Sequence, residues 1–493
     1  MTRTVSPLAW REIAAVDRME EVRQALARGS TFRMAWGEAE GTGIRIRYAF
    51  TGPGGDFEGF STRVGWDAKP DSLVPVLPAV HWDEREMQDL LGVRFRNHPD
   101  PRTLLLPEGY DGPPPLAPER PPRRAAPWEP RLLAHHGIVH VPVGPVHAGI
   151  IETGHFAFSA MGETVLQLDL KLGWDHRGLE ARLAGRTLAE ATSLVERTCG
   201  NCSASHQEAL AQAVEAVRDT EPNAVNAAGR GLLLEMERIY NHLNDLGQLA
   251  TGVGLGPLAQ EGLHLKERAL RLNAQAFGHR YLFGTIRPGR VRLPRDADGL
   301  REALEALGRD TGRWSDRLFS QVGFLDRSRG TGLIGSGPAG TLGAVGPVAR
   351  ASGLATDVRS ERPYGAYRCV GYQPVVRRTG DVYARADVRR EELFGSFDLA
   401  LAFLQRIRTE TTEPDTADRA GGPDGIGIGM TESPRGATLH TIHLENGRIV
   451  RYHMRTASFT NWPLIMLASQ DNPIGDFPLI NKSFELCYAC SDR

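Results

Sequence analysis

Short alternations of apolar and polar residues fill much of the first hundred positions. Gly43-Ile-Arg-Ile-Arg-Tyr-Ala-Phe50 alternates in this way and runs into Thr51-Gly-Pro-Gly-Gly55, so a strand entering a hairpin turn is predicted. His81 to Phe95 has a different period: acids open it, and Met87, Leu90 and Leu91 share one helical face. Residues 1–106 therefore read as a small α/β accessory domain.

The pattern then stops. Nine prolines stand between Pro107 and Pro130, among several arginines. Proline donates no backbone hydrogen bond, so residues 107–131 are expected to form no ladder and to act as a stiff, extended linker. Residues 132–493 open with two or three alternating runs between Gly137 and Gly173, predicting a small sheet. Helical spacing takes over in 206–219, 223–250, 258–283, 298–326 and 387–409. Thr187-Leu-Ala-Glu190 is a capping box opening a helix that leads to Cys199. Ala437 to Thr456 alternates again around Asn446-Gly447, the signature of a type I′ hairpin turn. The expected fold class is α+β: the accessory domain, then a mainly α-helical domain with a small N-terminal sheet and a C-terminal β-hairpin.

Composition works by exclusion. The 493 residues carry a net charge of −2, a near-neutral balance that gives no reason to expect nucleic acid as a partner. The longest uncharged run, Gly330 to Ala349, is broken by seven glycines and two prolines and does not suit a hydrocarbon core. The first residues carry acids and no apolar stretch, unlike a secretory signal. A cytoplasmic chain, peripheral to the membrane through partner subunits, is the expectation.

Chemistry is concentrated in the cysteines. Cys199 and Cys202 form one C-x-x-C, Cys487 and Cys490 a second, and Cys369 is left over and reads as a buried small side chain. Thiolates bind soft or borderline metals. On the cysteines alone, structural zinc, another thiolate-bound metal and no metal all stay open. Taken singly, His206 could pack the helix after its loop, Arg435 could pair with a carboxylate in a turn, and Glu152 could be a solvated acid. Gly335-Ser-Gly-Pro-Ala-Gly340 has the glycine spacing of a nucleotide loop but lacks a strand–helix frame, and reads as a loop.

The neighbours of the cysteines are more specific. Glu196-Arg-Thr-Cys-Gly-Asn-Cys202 with His206, and Cys487-Tyr-Ala-Cys-Ser-Asp-Arg493, resemble the two cysteine signatures of nickel–iron hydrogenase large subunits. The second is similar to the energy-converting, membrane-associated (formate hydrogenlyase) version. His176-Arg-Gly-Leu-Glu180 resembles a segment shared by these enzymes and the quinone-site subunit of respiratory complex I. Gly380-Asp-Val-Tyr-Ala-Arg385, Asn461-Trp-Pro463 and Asp476 to Phe484 are also similar to that subunit. In the accessory domain, Glu84 to Phe95 and Asn97 to Pro107 resemble a neighbouring peripheral-arm subunit of complex I. Glu485-Leu486 departs from the Asp-Pro that most hydrogenases have there.

The resemblance implies a catalytic subunit that interconverts protons and dihydrogen. Cys199 and Cys487 would be terminal ligands of nickel, and Cys202 and Cys490 would bridge it to an iron carrying carbon monoxide and cyanide. His206 would hydrogen-bond a bridging sulfur, Arg435 would stand over the open metal position, and Glu152 would be the proton gate. Glu180 would lie at a second, magnesium or iron, site. Implied partners are a small subunit bearing an iron–sulfur cluster, membrane antiporter-like subunits, a formate or carbon monoxide dehydrogenase module, and maturation proteins. The rival implied by the same motifs is a complex-I-like quinone-site electron-transfer subunit. A zinc-stapled scaffold is a third reading.

Overall fold

A computed structural model describes residues 10–147, 151–409 and 423–493. The first nine residues and the Ala148–Ile150 stretch of the expected sheet lie outside them. The fold class is α+β. Elements in chain order begin with β1 (Arg11–Glu12), α1 (Arg18–Ala27), β2 (Thr31–Glu40), β3 (Gly43–Thr51) and β4 (Phe57–Gly65). They form a sheet of order β1-β4-β3-β2, antiparallel except for β1. The predicted strand is β3, and its glycine-rich turn leads to β4.

The predicted helix is α2 (His81–Leu91), capped by Gly92 in the left-handed region. It is buried on every face from Trp82 to Leu91, because later parts of the chain cover the side turned away from the sheet. Its acids are consequently paired. Asp83 accepts from Ala35 N, Glu84 from Leu73 N, and Asp89 from Leu104 N and Leu105 N. Buried carboxylates survive only with such partners.

The proline-rich segment corrects the expectation. It forms a short ladder, β5 (Asp111–Gly112) with β6 (Arg123–Arg124), and it folds back onto α2. Leu116 N donates to Leu90 O, and Arg120 donates to Gly92 O while lying over Trp66. Its pairing positions are the non-proline residues, which the proline count obscured.

Strands β7 (Ile138–Val143), β8 (His155–Met161) and β9 (Thr164–Lys171) make the expected small sheet. Helices α3 (Leu179–Leu183), α4 (Leu188–Val195), α5 (Ser203–Arg218), α6 (Ala224–Gly252) and α7 (Gly256–Phe277) follow. The capping box of α4 is present in full. Helix α7 stops short of the predicted 283 because Gly278 adopts a positive φ and ends it. After the small hairpin β10 (Ile286–Arg287) and β11 (Arg290–Val291), the single helix predicted over 298–326 is two. These are α8 (Ala297–Phe319) and α9 (Val322–Ser328), parted where Gln321 is extended.

Short helices α10 (Ser336–Thr341), α11 (Gly346–Ala351) and α12 (Val358–Glu361) precede the long α13 (Val382–Thr409). The glycine motif at 335–340 thus forms most of α10, which follows α9 and not a strand. Cys369 is exposed at the end of a short 3-10 turn, not buried as expected. The C-terminal hairpin, β13 (Gly436–Glu445) and β14 (Arg448–Arg455), turns at Asn446 and Gly447, both with positive φ. It gains a third strand, β12 (Gly425–Ser433), that the pattern did not announce. Gly427 and Gly429 bring β12 against α5 so closely that a Cβ on either would lie 1.9 Å from a helix carbonyl. The chain closes with α14 (Ala457–Ala468), α15 (Phe477–Phe484) and α16 (Tyr488–Asp492).

Candidate metal centre

The first cysteine pair lies where α4 hands over to α5. Cys199 is extended, residues 200–202 make one 3-10 turn, and α5 starts at Ser203. Helix α6 holds this turn in place. Glu237 accepts from Ala204 N and Ser205 N, and Tyr240 Oη and Asn241 Nδ2 both donate to Asn201 O. Burial raises the Glu237 carboxyl to about 8.

The second pair arrives on the returning tail. Arg385 on α13 donates to Ser483 Oγ, and Arg389 to Ser483 O and Phe484 O, anchoring α15. Glu485 at a φ of 51° turns the chain out of α15, and Cys487 N donates to Ser458 Oγ. The His176–Glu180 segment then clamps both cysteine loops. Arg177 Nη2 donates to Thr198 O, beside Cys199, and to Ala489 O, between Cys487 and Cys490. Its backbone N–H donates to Arg493 O.

The result is one cluster. Cys199, Cys202 and Cys490 are nearly fully buried, and Cys487 packs against them half-buried. Sγ of Cys199 and Cys487 are 3.2 Å apart, and those of Cys199, Cys487 and Cys490 all lie within 4.8 Å of one another. All five cysteines are free, and 3.2 Å far exceeds a disulfide bond of about 2.05 Å. Hydrogen bonds from Cys202, Cys487 and Cys490 hold the Cys199 thiol well below its ordinary range, and it in turn raises theirs. Of the four, Cys199 gives up its proton most readily and the other three hold theirs. No guanidinium or ammonium hydrogen-bonds any of the four sulfurs among the described residues. A soft cation is what such a donor set lacks, so the site fits thiolate-bound nickel and iron.

The other expected residues fall at varied distances from this cluster. His206, on the first turn of α5, faces Cys490 with Nε2 3.6 Å from Sγ. Its Nδ1 is 2.9 Å from His440 Nε2, and His440 Nδ1 is 2.6 Å from the Tyr452 hydroxyl. Burial lowers His206 to about 4. Arg435 sits in the β12–β13 turn, buried and gripped at both nitrogens by Asp245, at 2.6 and 3.0 Å. Burial opposes its charge, but Asp245 outweighs that and keeps it protonated. Glu152 Oε2 accepts from Ala489 N at 2.9 Å and lies 3.9 Å from Cys487 Sγ, with burial raising its pKa.

Glu180 is elsewhere, in a buried cluster with Glu86 and His453. It accepts from Arg451 Nη1 at 2.8 Å, Arg493 Nη1 at 3.2 Å and Met454 N at 3.0 Å. Two guanidinium groups already supply the positive charge there. Magnesium prefers an octahedral oxygen shell, whereas this cluster offers two ion-paired carboxylates and one imidazole.

Asp245, His440 and Tyr452 escaped sequence reading. Asp245 looks like any acid on a long helix. His440 and Tyr452 carry a fainter signal, being polar rings among otherwise apolar positions of the hairpin. The strand register pairs Tyr452 with Ile442, two residues from His440, so both rings point to the same face.

Comparisons with known proteins agree with this geometry. Residues 177–251 match a family described as nickel-dependent hydrogenase. Residues 258–420 match the respiratory-chain NADH dehydrogenase 49 Kd subunit, and residues 14–125 its 30 Kd subunit. Formate hydrogenlyase subunit 5 of Escherichia coli is 29% identical over 452 residues, covering 88% of this chain and 79% of that protein. The membrane-bound hydrogenase subunit alpha of Pyrococcus furiosus is 31% identical over 373 residues, 72% of this chain and 87% of the relative. A chain of the membrane-bound sulfane sulfur reductase, an archaeal respiratory membrane complex, shares the fold. It has a TM-score of 0.66 at 24% identity and covers 72% of this chain and 99% of its own.

Proposed function

The chain belongs to the large-subunit family of energy-converting nickel–iron hydrogenases, oxidoreductases acting on hydrogen, and on that premise we propose how its residues divide the work. Cys199 and Cys487 would hold nickel, and Cys202 and Cys490 would hold both nickel and an iron bearing carbon monoxide and cyanide. When bound, that centre supplies the reversible conversion of two protons and two electrons into dihydrogen. Arg435 presents a fixed positive charge that Asp245 keeps from rotating, since both terminal nitrogens, Nη1 and Nη2, are engaged. Glu152 carries protons between the Cys487 side of the cluster and solvent, its carboxyl raised towards the working range by burial. Glu180 serves as an ion-pair anchor for Arg451 and Arg493 in place of a magnesium ligand.

Electrons come from elsewhere. With four cysteines committed, only Cys369 remains, and one cysteine cannot hold an iron–sulfur cluster. A small subunit bearing such a cluster would dock beside the site. No helix among the described residues is long and apolar enough to cross a membrane, so membrane antiporter-like subunits would tether the complex at the cytoplasmic face. A formate or carbon monoxide dehydrogenase module would supply the reductant, and maturation proteins would insert the iron. Residues 1–106 form the accessory domain, 132–493 the catalytic domain, and 107–131 the segment between them.

The observation carrying this reading is the meeting of two C-x-x-C pairs from distant parts of the chain, with the sulfurs of Cys199, Cys487 and Cys490 within 4.8 Å of one another and Cys202 packed beside them. Elemental analysis of the purified chain tests it: nickel and iron together are expected, with infrared bands of metal-bound carbon monoxide and cyanide. Zinc alone, or no metal, would overturn it. A quinone-site electron-transfer role is favoured by the 49 Kd match over 258–420, but that match contains neither cysteine pair. It would be adopted if no metal were found.

A further inference from the structure

The buried ring chain behind Cys490 has a direction, and a single phenol determines it. Tyr452 is fully buried, and its hydroxyl has one hydrogen-bond partner among the described residues, His440 Nδ1 at 2.6 Å. A buried O–H left without an acceptor is costly, so the phenol donates and His440 Nδ1 accepts. His440 then carries its proton on Nε2, which faces His206 Nδ1 at 2.9 Å. His206 Nδ1 must accept, which leaves its own proton on Nε2, turned to the sulfur of Cys490 at 3.6 Å. The opposite order would strand the phenol proton, and an imidazolium at either ring would do the same.

From this we infer that His440 and Tyr452 are positioning residues. They lock His206 in the tautomer that donates a hydrogen bond to Cys490, one of the sulfurs proposed to bridge the metals. An N–H pointed at a metal-bound thiolate withdraws electron density from it, whereas a bare ring nitrogen repels it. The packing that builds the chain is specific. Gly429 lies opposite His440 in the register and lets β12 touch α5 at Ala209, one turn beyond His206. The proton order follows from the protein alone; its effect on the metals rests on the nickel–iron reading above.

Histidine-selective 15N NMR on the metal-free full chain reads the proton order directly, with the His206 signals identified by their loss in His206→Gln. The expected result is a protonated Nε2 and an unprotonated Nδ1 on His206. Tyr452→Phe should move both signals towards an even mixture of tautomers. His440→Leu should do likewise, whereas His440→Gln, whose amide can still accept from Tyr452 and donate to His206, should keep the native pattern. A native His206 protonated on Nδ1, or signals unmoved in Tyr452→Phe, would overturn the proton order. In the loaded enzyme, the carbon monoxide and cyanide bands should shift in His440→Leu and return in His440→Gln. Bands present but unmoved would refute the effect on the metals. Absence of such bands from the native enzyme would refute the nickel–iron reading while the NMR result still judged the proton order.

Discussion

The sulfur cluster and the Glu86–Glu180–His453 cluster look alike by inventory. Each brings three or more metal-binding side chains within 4.8 Å, and each ties the tail after Phe484 to earlier parts of the chain. They differ in what already balances their charge. Arg451 and Arg493 fill the carboxylate cluster, and Arg493 also stacks over Phe459 at 4.8 Å. The sulfurs have neighbouring thiols and one imidazole, but among the described residues no fixed cation is hydrogen-bonded to them. Proximity of donors thus does not make a metal site; unmet charge does.

The largest expected effect that separates the two is at sulfur. Cys487→Ser should abolish nickel binding and hydrogen turnover, while Cys369→Ser, at the exposed turn, should change neither; metal analysis and hydrogen-evolution assays check both. Retention of nickel by the Cys487 variant would dissolve the comparison. At the other cluster, Glu180→Gln should destabilise the fold by about 3–5 kcal/mol, because it leaves Arg451 buried without its anion and Arg493 with Glu86 alone. Magnesium chelation should meanwhile leave the melting temperature unchanged. A drop on chelation would restore the magnesium reading.

A smaller effect is expected from Gly429→Ala, whose new methyl would meet Ala209 O at 1.9 Å and force β12 away from α5. A loss of about 1–3 kcal/mol, measured by denaturant unfolding, is expected from such overpacking.

The smallest effect is a pH dependence at the contact between accessory and catalytic parts. His443 Nδ1 lies 2.6 Å from Glu38 on β2. Burial alone would lower His443, but the bond and charge of Glu38 outweigh it and raise its pKa. A raised histidine contributes stability that is complete below about 6.5, its unfolded value, and is lost as pH climbs through the folded one. Glu38 is held down by His443 and Arg47 against its burial, so its share is lost only in acid. Stability should therefore fall slightly from pH 6 to 9, and His443→Gln should flatten that slope.

Much of this was legible residue by residue. The capping box before Cys199, the Asn446-Gly447 turn and the β3 hairpin rest on local spacing, which neighbours on the chain enforce. Local reading failed where a partner lay far away. The acids that open α2 announce a helix start, but not that every one of them is buried against later or earlier chain. The proline-rich segment looks like a spacer, yet its Leu116 and Arg120 dock on the end of α2. The cysteines, His206, Arg435 and Glu152 could be named from their motifs, but Asp245, His440 and Tyr452 could not.

What the sequence determined by itself is therefore the set of chemical parts: four thiols in two spaced pairs, a histidine one turn into the following helix, and the strands and helices that carry them. Only the tertiary structure decided which parts meet. Arg385 and Arg389 draw the tail back onto α13, Arg177 joins the two cysteine loops, and glycines on β12 admit His440 to His206. Hydrogen bonds and close contacts act over a few ångströms in space, and chain position does not record which residues come that near.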